Sequence, residues 1–191
     1  MRHAPRPSLG ALVIGAALAA SGGAALEWVH LQAGVWSLPE GVRFPAWIAP
    51  VYFFALVALL ATLPWLEGDA PRPATPALNL LISEGTSVAA LVLLPALLPT
   101  AEGWLTLIVL AYLGFRLVFQ REPGDRLVLG DLRLAGALLL LDALLESMLL
   151  RAGLYRYEGA SLFTFPLWGP LLWAALGISI RRLAWLLPRD R

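Results

Sequence analysis

The chain has 191 residues, of which 59% are hydrophobic and 14% charged, with a net charge of +1 and a mean hydropathy of +0.75. This composition is more apolar than the core of one soluble domain can accommodate, so lipid is the expected solvent for much of the chain. The absence of cysteine excludes disulfides, thiolate metal sites and cysteine nucleophiles. Histidine occurs only as His3 and His30, which argues against a multi-histidine metal site or a bis-histidine haem. We therefore expect neither a metal nor a cofactor.

Six apolar segments follow one another along the chain, separated by short stretches rich in proline and glycine. A hydrocarbon layer of roughly 30 Å needs about 20 apolar residues per helical crossing, so six crossings account for nearly the whole length. The sequence therefore predicts an all-α integral membrane protein, a bundle of about six transmembrane helices in a single transmembrane domain. The predicted helices are 9–30, 45–65, 77–98, 104–119, 134–150 and 165–187, within a domain spanning 1–191.

The arginines predict the orientation of this bundle. If the N-terminus is cytoplasmic, eleven of the 14 basic residues lie on the inner side and three on the outer side. Cytoplasmic loops carry an excess of positive charge, so this bias predicts a multi-pass protein of the cell inner membrane with both termini in the cytoplasm. The three outer arginines are Arg43, Arg151 and Arg156.

The first apolar segment has a second interpretation. Arg2 and Arg6, followed by an apolar run and small residues up to Ala25, are typical of a secretory signal peptide. An internal repeat argues against removal of this segment, because the sequence around its end is echoed by the fifth segment.

This repeat aligns 26–52 with 145–173. Each copy carries an acid near the outer end of a helix, then a glycine turn, an aromatic residue, and Pro-x-Trp at the start of the returning helix. Both copies run outward, so they predict a parallel repeat of helical hairpins formed by helices one and two and helices five and six. The aligned pairs are Glu27 with Glu146, Gly34 with Gly153, Trp36 with Tyr155, Pro45 with Pro166, Trp47 with Trp168 and Tyr52 with Trp173.

Four acids are predicted at membrane depth: Glu27, Glu84, Asp142 and Glu146. An ionised carboxylate there costs several kcal/mol unless it is paired, hydrated or protonated, so each is a candidate functional residue. Asp142 and Glu146 are four residues apart on one helix face, where two carboxyls in low dielectric are expected to share a proton. For Glu27 and Glu146 the alternative is contact with water, His30 or Arg151 at the outer surface.

A small polar patch, Glu84 to Ser87, interrupts the third segment. Its glycine and hydroxyl residues are typical of a contact between helices, and the alternative is a polar pocket for a lipid headgroup. The arginines of the inner side are too dispersed for nucleic-acid binding and indicate topology and attraction to anionic lipid.

The segment RAGLYRYEGASLFTFPLWGPLLWAALGISIRRLAW, 151–185, resembles the end of the Insig (insulin-induced gene) family. Gly114-Phe115-Arg116 and the polar loop after it are also similar, so the resemblance covers about 111–185 and extends weakly to 36–65. It implies a six-helix membrane fold with cytoplasmic termini and a cavity between helices that binds a sterol or diacylglycerol. The four acids depart from a purely apolar cavity of that kind.

A second resemblance covers Glu146 to Trp173, with Gly-x-Tyr-x-Tyr followed by Pro-x-Trp-x-Pro-x-x-Trp. This pattern is similar to carotenoid-modifying membrane proteins of the lycopene cyclase and hydratase type. The resemblance implies that Glu146 and Glu27 protonate a polyene, while Tyr155, Tyr157, Trp168 and Trp173 stabilise cationic charge with their π faces.

The leading hypothesis is a lipid- or sterol-binding membrane protein whose intramembrane cavity accepts a membrane lipid or other apolar molecule with a small polar head. A regulatory role is part of this hypothesis. Whether the protein is an enzyme stays open: the first alternative is an acid-catalysed isoprenoid or carotenoid cyclase, hydratase or isomerase, with Glu27 and Glu146 as candidate catalytic acids. The second alternative is a structural subunit of a membrane complex, with a homo-oligomer or another membrane protein as partner. The predicted ligand-binding residues are Glu84, Thr86, Ser87 and Asp142 for polar contact and Tyr155, Trp168 and Trp173 for the apolar wall.

Overall fold

A computed structural model describes residues 8–42, 46–67, 76–99, 101–118, 128–158 and 165–186, with the backbone alone at 63–67 and 128–129. Within these ranges the protein consists of six α-helices, a pair of two-residue strands and a final 3-10 turn, so the predicted all-α fold is confirmed. The elements are α1 Leu9–Gln32, β1 Trp36–Ser37, α2 Ile48–Glu67, α3 Ala77–Leu97, α4 Glu102–Val118, α5 Val128–Arg151, β2 Arg156–Tyr157 and α6 Trp168–Leu183, followed by the turn Ala184–Leu186.

Local sequence signals explain several helix ends. The hydroxyl of Ser8 accepts a hydrogen bond from the backbone N–H of Ala11 at 3.2 Å, which caps the first turn of α1. The helix ends before Gly34, whose φ of +73° is the left-handed conformation that glycine adopts without strain. Gly153, just after α5, has the same conformation with φ of +68°. Both outward helices of the predicted repeat therefore end in the same kind of glycine turn.

Helix α6 is the centre of the bundle. Of the ten residues from Leu172 to Arg181, all are buried except Trp173 and Ile180, which are half-buried. The other helices expose many large apolar side chains. Helices α3, α4 and α5 all pack against α6, and α1 packs mainly against α2. A core cluster built on Trp36, Leu91, Leu105 and Trp168 joins these layers.

Three sets of contacts establish which helix ends lie together. Strand β1 pairs with β2 in antiparallel register, Trp36 opposite Tyr157, so the turns after α1 and α5 lie at the same end of the bundle. At the other end, Glu84 near the start of α3 contacts Arg116 and Arg182 near the ends of α4 and α6. Successive helices therefore alternate in direction.

Two helices among the described residues, α1 and α3, are long and apolar enough to cross a membrane by length and composition. The helix bounds agree most closely for the third segment, predicted as 77–98 and found as Ala77–Leu97. They differ most for α5, which begins at Val128 and not at Leu134. Asp131, in its first turn, is buried against Arg181, and hydropathy alone does not reveal an ion pair between two helices.

Candidate functional site

Two groups of polar side chains lie in the described interior of the bundle, at its opposite ends. We call the first the carboxylate–aromatic cluster: Glu27, His30, Trp36, Tyr52, Asp142, Glu146, Tyr155 and Tyr157. We call the second the arginine cluster: Glu84, Arg116, Asp131, Arg181 and Arg182. The sequence predicted one polar site that combined Glu84 with Asp142, but the two residues belong to different clusters.

Glu27, near the end of α1, is held by donors from the turn after it and from α2. The indole N–H of Trp36 donates to Oε2 at 3.0 Å. The hydroxyl of Tyr52 donates to Oε1 at 2.5 Å. Each oxygen of this carboxyl group accepts one hydrogen bond, so both rings are fixed against it. The half-buried Glu27 side chain therefore joins α1 to α2 and to the turn after α1.

His30 connects this carboxyl group to α3. Its Nε2 lies 2.8 Å from the carbonyl oxygen of Val92, and its Nδ1 lies 3.8 Å from Glu27 Oε2. Because a carbonyl can only accept, Nε2 carries the hydrogen in this arrangement. His30 is only 4% exposed, so the ring forms a buried link between α1 and α3.

Glu146, near the end of α5, repeats this design with different donors. The hydroxyl of Tyr155 donates to Oε2, and the hydroxyl of Tyr157 donates to Oε1 at 3.1 Å. Tyr155 follows Glu146 by nine residues, the same separation as between Glu27 and Trp36. The acid and the aromatic residue that the sequence aligned in the two copies therefore make equivalent hydrogen bonds.

Aromatic contacts join the two halves of this cluster. The ring centroids of Trp36 and Tyr155 are 5.5 Å apart, and those of Tyr155 and Tyr157 are 5.7 Å apart. Trp168 lies edge-on to Tyr157 at 6.2 Å. Such tilted and edge-on geometries are favourable for aromatic pairs, so the rings form a continuous wall between the two carboxyl groups.

Trp173 completes this wall from α6. Its ring centroid is 5.3 Å from that of Tyr52, which is bonded to Glu27. The three aromatic residues predicted for the apolar wall, Tyr155, Trp168 and Trp173, therefore lie in one group. The sequence did not identify Trp36 and Tyr52 as site residues, although their alignment with Tyr155 and Trp173 was the available signal.

Asp142 lies one helical turn before Glu146 on α5 and is partly buried. Its Oδ2 is buried and has no hydrogen-bond partner among the described residues. This oxygen is an available acceptor of the cluster, whereas each oxygen of Glu27 and Glu146 already accepts one hydrogen bond.

The tyrosines of the turn after α5 remain donors over a wide pH range. Burial raises the pKa of the Tyr155 hydroxyl well above its ordinary value, and the nearby carboxyls of Glu146, Asp142 and Glu27 raise it further. Burial and the neighbouring Glu146 also raise the pKa of Tyr157. Both hydroxyls therefore keep the protons that they donate to Glu146.

The arginine cluster surrounds Glu84, which is only 1% exposed. Arg116 Nη2 donates to Glu84 Oε2 at 2.7 Å, and Arg182 Nη1 lies 3.4 Å from Oε1. In the adjacent ion pair, Arg181 Nη1 lies 2.6 Å from Asp131 Oδ1. The sequence counted Arg116 among the inner-side arginines that attract anionic lipid, but its side chain is fully buried against Glu84.

The rest of the predicted polar patch does not join Glu84. Thr86 is exposed and donates back to carbonyls of its own helix, to Ile82 at 2.7 Å and to Ser83 at 3.1 Å. Ser87 is half-buried. This is the pattern of hydroxyl residues that satisfy themselves within an apolar helix.

Comparison of the chain with protein-family models, with curated proteins and with solved structures finds no match. The Insig and carotenoid-cyclase resemblances therefore stay predictions. Among the described residues, no group of three or more histidine, cysteine, aspartate or glutamate side chains has a geometry that suits a metal ion.

Proposed function

We propose that the chain is a multi-pass inner-membrane protein that crosses the bilayer six times with both termini in the cytoplasm. Support comes from the large apolar side chains exposed on α1 to α5, an area that a soluble monomer rarely leaves uncovered. The turns after α1 and α5 lie at the same end of the bundle, which agrees with the arginine distribution. On this assignment the carboxylate–aromatic cluster lies at the outer end of the bundle and the arginine cluster at the inner end.

The natural absence of cysteine makes this topology directly testable. Single cysteines are introduced at Glu40, at Leu154 and at Arg126, and intact cells are treated with a membrane-impermeant maleimide. We expect labelling of E40C and L154C in intact cells and of R126C only after lysis. Labelling of R126C in intact cells contradicts the proposed orientation.

We propose that this membrane protein binds an apolar molecule with a small hydroxyl-bearing head at the carboxylate–aromatic cluster. The main support is that Glu27 and Glu146, from equivalent places in two hairpins, accept hydrogen bonds from rings of the turn after α1, of α2 and of the turn after α5, and that rings of α6 pack against these. The buried acceptor oxygen of Asp142 matches a hydroxyl donor. The aromatic wall matches a rigid or polyunsaturated apolar body, such as a sterol-like or isoprenoid molecule or the glycerol end of a diacylglycerol.

The test is the identity of lipid that co-purifies with the protein in mild detergent, measured by mass spectrometry of the extracted molecules. We expect one enriched hydroxyl-bearing apolar species in the wild-type protein. Asp142→Asn is expected to reduce its molar ratio to protein several-fold, because one carboxyl oxygen is replaced by an NH2 group that can only donate. Glu40→Gln is the matched control, since Glu40 is an exposed acid outside the cluster and should leave the ratio unchanged.

Two results would oppose this proposal. One is a wild-type lipid profile no different from that of the host membrane. The other is an enriched species whose retention is the same in D142N and E40Q. A ligand retained equally in both variants does not contact the predicted acceptor.

Acid-catalysed isoprenoid chemistry is a second candidate function, favoured by the closeness of two carboxyl groups to several aromatic residues. A protonated carboxyl group would add its proton to a polyene carbon, and the rings would stabilise the resulting cation. A neighbouring carbon would then lose a proton to the carboxylate left by the first step, which restores a neutral product and the protonated acid. Incubation of the protein with a linear polyene, followed by chromatography of the products, distinguishes this candidate from a binder. The enzyme hypothesis requires conversion that E146Q or E27Q abolishes, and it fails if wild-type protein returns the polyene unchanged.

A further inference from the structure

Arg116 has more hydrogen-bonding capacity than its neighbours use. Its side chain has no solvent exposure, and one of its N–H groups donates to Glu84. Its Nε and Nη1 are also buried but have no hydrogen-bond partner among the described residues. Because a guanidinium is always charged and presents five donors, leaving buried N–H groups unmatched is unfavourable.

A buried hydroxyl group with the same property lies on α6. Ser179 is fully buried, and its Oγ has no hydrogen-bond partner among the described residues. It precedes Arg182 by three residues and therefore lies on the same face of the helix, the face from which Arg182 reaches Glu84. The buried hydroxyl oxygen of Tyr112, whose ring lies 5.8 Å below the Arg116 guanidinium, is unpartnered as well.

The unmatched donors of Arg116 favour an anion. Arg116 and Arg182 share the single carboxylate of Glu84, and the buried Nε and Nη1 of Arg116 have no acceptor among the described residues. An anion with several oxygens would accept from these donors in charge-assisted hydrogen bonds, which are stronger than neutral ones. Arginine suits tetrahedral oxyanions in particular, because its planar fork bonds two oxygens at once.

We propose that the arginine cluster binds a phosphate group, with Arg116 as the main ligand and Ser179 as a hydroxyl donor. Glu84 and Asp131 hold the guanidinium groups in place, and the remaining N–H groups of Arg116 bond to the phosphate oxygens. The phosphate belongs either to an anionic lipid of the adjacent leaflet or to a free phosphate ion, since both present the same oxygens. This site is separate from the carboxylate–aromatic cluster and does not depend on the function proposed there.

The first experiment measures thermal unfolding of the purified full-length protein in a neutral detergent while inorganic phosphate is titrated against chloride at constant ionic strength. The second uses nanodiscs of phosphatidylcholine alone or with phosphatidic acid, in phosphate-free buffer. Saturable stabilisation in the first experiment identifies a free phosphate ion. Stabilisation only by phosphatidic acid identifies a lipid headgroup, and the absence of both effects overturns the proposal.

Variants distinguish a site from general electrostatic attraction. Arg116→Lys keeps the charge opposite Glu84 but removes the planar fork, and we expect it to weaken phosphate binding by roughly tenfold or more. Ser179→Ala removes one neutral donor from a site that stays folded, and a smaller, several-fold weakening is expected. Arg156→Lys is the matched control, because the Arg156 side chain is 79% exposed.

Using two variants distinguishes loss of phosphate binding from loss of the folded state. If R116K unfolds before it can be titrated, S179A still reports on the site, because loss of a buried unpartnered hydroxyl removes no existing contact. Equal phosphate dependence of the wild type, R116K, S179A and R156K overturns the proposal. Equal dependence in the wild type and S179A, with loss in R116K, removes Ser179 from the site and retains Arg116.

Discussion

Removal of the Glu84 carboxylate is predicted to destabilise the protein more than removal of its main partner, Arg116. Glu84→Leu leaves two guanidinium groups, Arg116 and Arg182, without the carboxylate that they share. Arg116→Met leaves Glu84 with Arg182 still 3.4 Å away. Loss of one member of a buried pair costs about 3–5 kcal/mol, so we expect E84L near the upper end of that range and R116M near the lower end.

The double variant provides the sharper result. E84L/R116M removes the buried charge of Arg116 together with its partner and replaces both with apolar groups. Of the two arginines that contacted Glu84, only Arg182 then remains. Its side chain is 11% exposed and therefore lies nearer to solvent than Arg116 did. We therefore expect the double variant to be more stable than E84L alone, with a coupling energy of roughly 1–3 kcal/mol.

The measurement is equilibrium unfolding by denaturant in detergent, followed by circular dichroism in phosphate-free buffer, with the free energy of unfolding extrapolated to zero denaturant. Thr86→Val is the control, since Thr86 is exposed on the same helix and should change stability by less than about 0.5 kcal/mol. A shared, buried Glu84 carboxylate is excluded if E84L is no less stable than T86V, or if the costs of E84L and R116M simply add in the double variant.

Two further predictions concern the carboxylate–aromatic cluster. A Cβ on Gly23 would overlap the ring of Tyr52, whereas one on Gly22 meets no atom; we therefore expect G23A, but not G22A, to lower the melting temperature, and equal melting would contradict the packing. The raised pKa of Tyr155 keeps its hydroxyl protonated in the folded state, whereas the same hydroxyl in the unfolded chain loses its proton near pH 10. The free energy of unfolding therefore falls as the pH rises above about 10. Denaturant unfolding across that range should show a shallower fall in Y155F, and identical slopes would oppose this assignment.

Much of the helical framework could be predicted because hydropathy and turn residues report directly on it. The bounds of α1 and α3 lie within two residues of the predicted segments. The start of α5 was placed too late because Asp131 and Arg133 resemble a loop when hydropathy is averaged. Asp131 is helical and buried because Arg181, fifty residues later, neutralises it, and such a partner is invisible to a local window.

The candidate site was predictable only where the repeat supplied a second copy. The alignment of Trp36 with Tyr155 anticipated two equivalent hydrogen bonds to the aligned acids. It also aligned Tyr52 with Trp173, but Tyr52 bonds to Glu27 whereas Trp173 contacts Tyr52 itself. A repeat predicts which positions face each other, and the chemistry at each position depends on side chains that have diverged.

Glu84 was grouped with Asp142 because both are acids in apolar segments, but depth along the helix separates them. Glu84 lies two turns from the start of α3, while Asp142 lies in the second half of α5. Helices that start on the same side place these residues at different depths. Counting residues from each predicted helix start would have assigned Glu84 to the end of the bundle where the arginines lie.

Helix α6 connects the two clusters and determines how independent they are. Trp168 contributes to the aromatic wall at its first residue, and Arg182 reaches Glu84 near its last. Fourteen residues of α-helix separate them by about 21 Å, which exceeds the distance over which mutational effects usually couple. Ligand retention in D142N should therefore be unaffected by adding R116K, and phosphate binding in R116K unaffected by adding D142N. A departure from additivity in either readout would mean that a helix contributing to both clusters shifts when one of them is occupied; α6 does so through Trp168 and Arg182, and α3 does so through Val92 and Glu84.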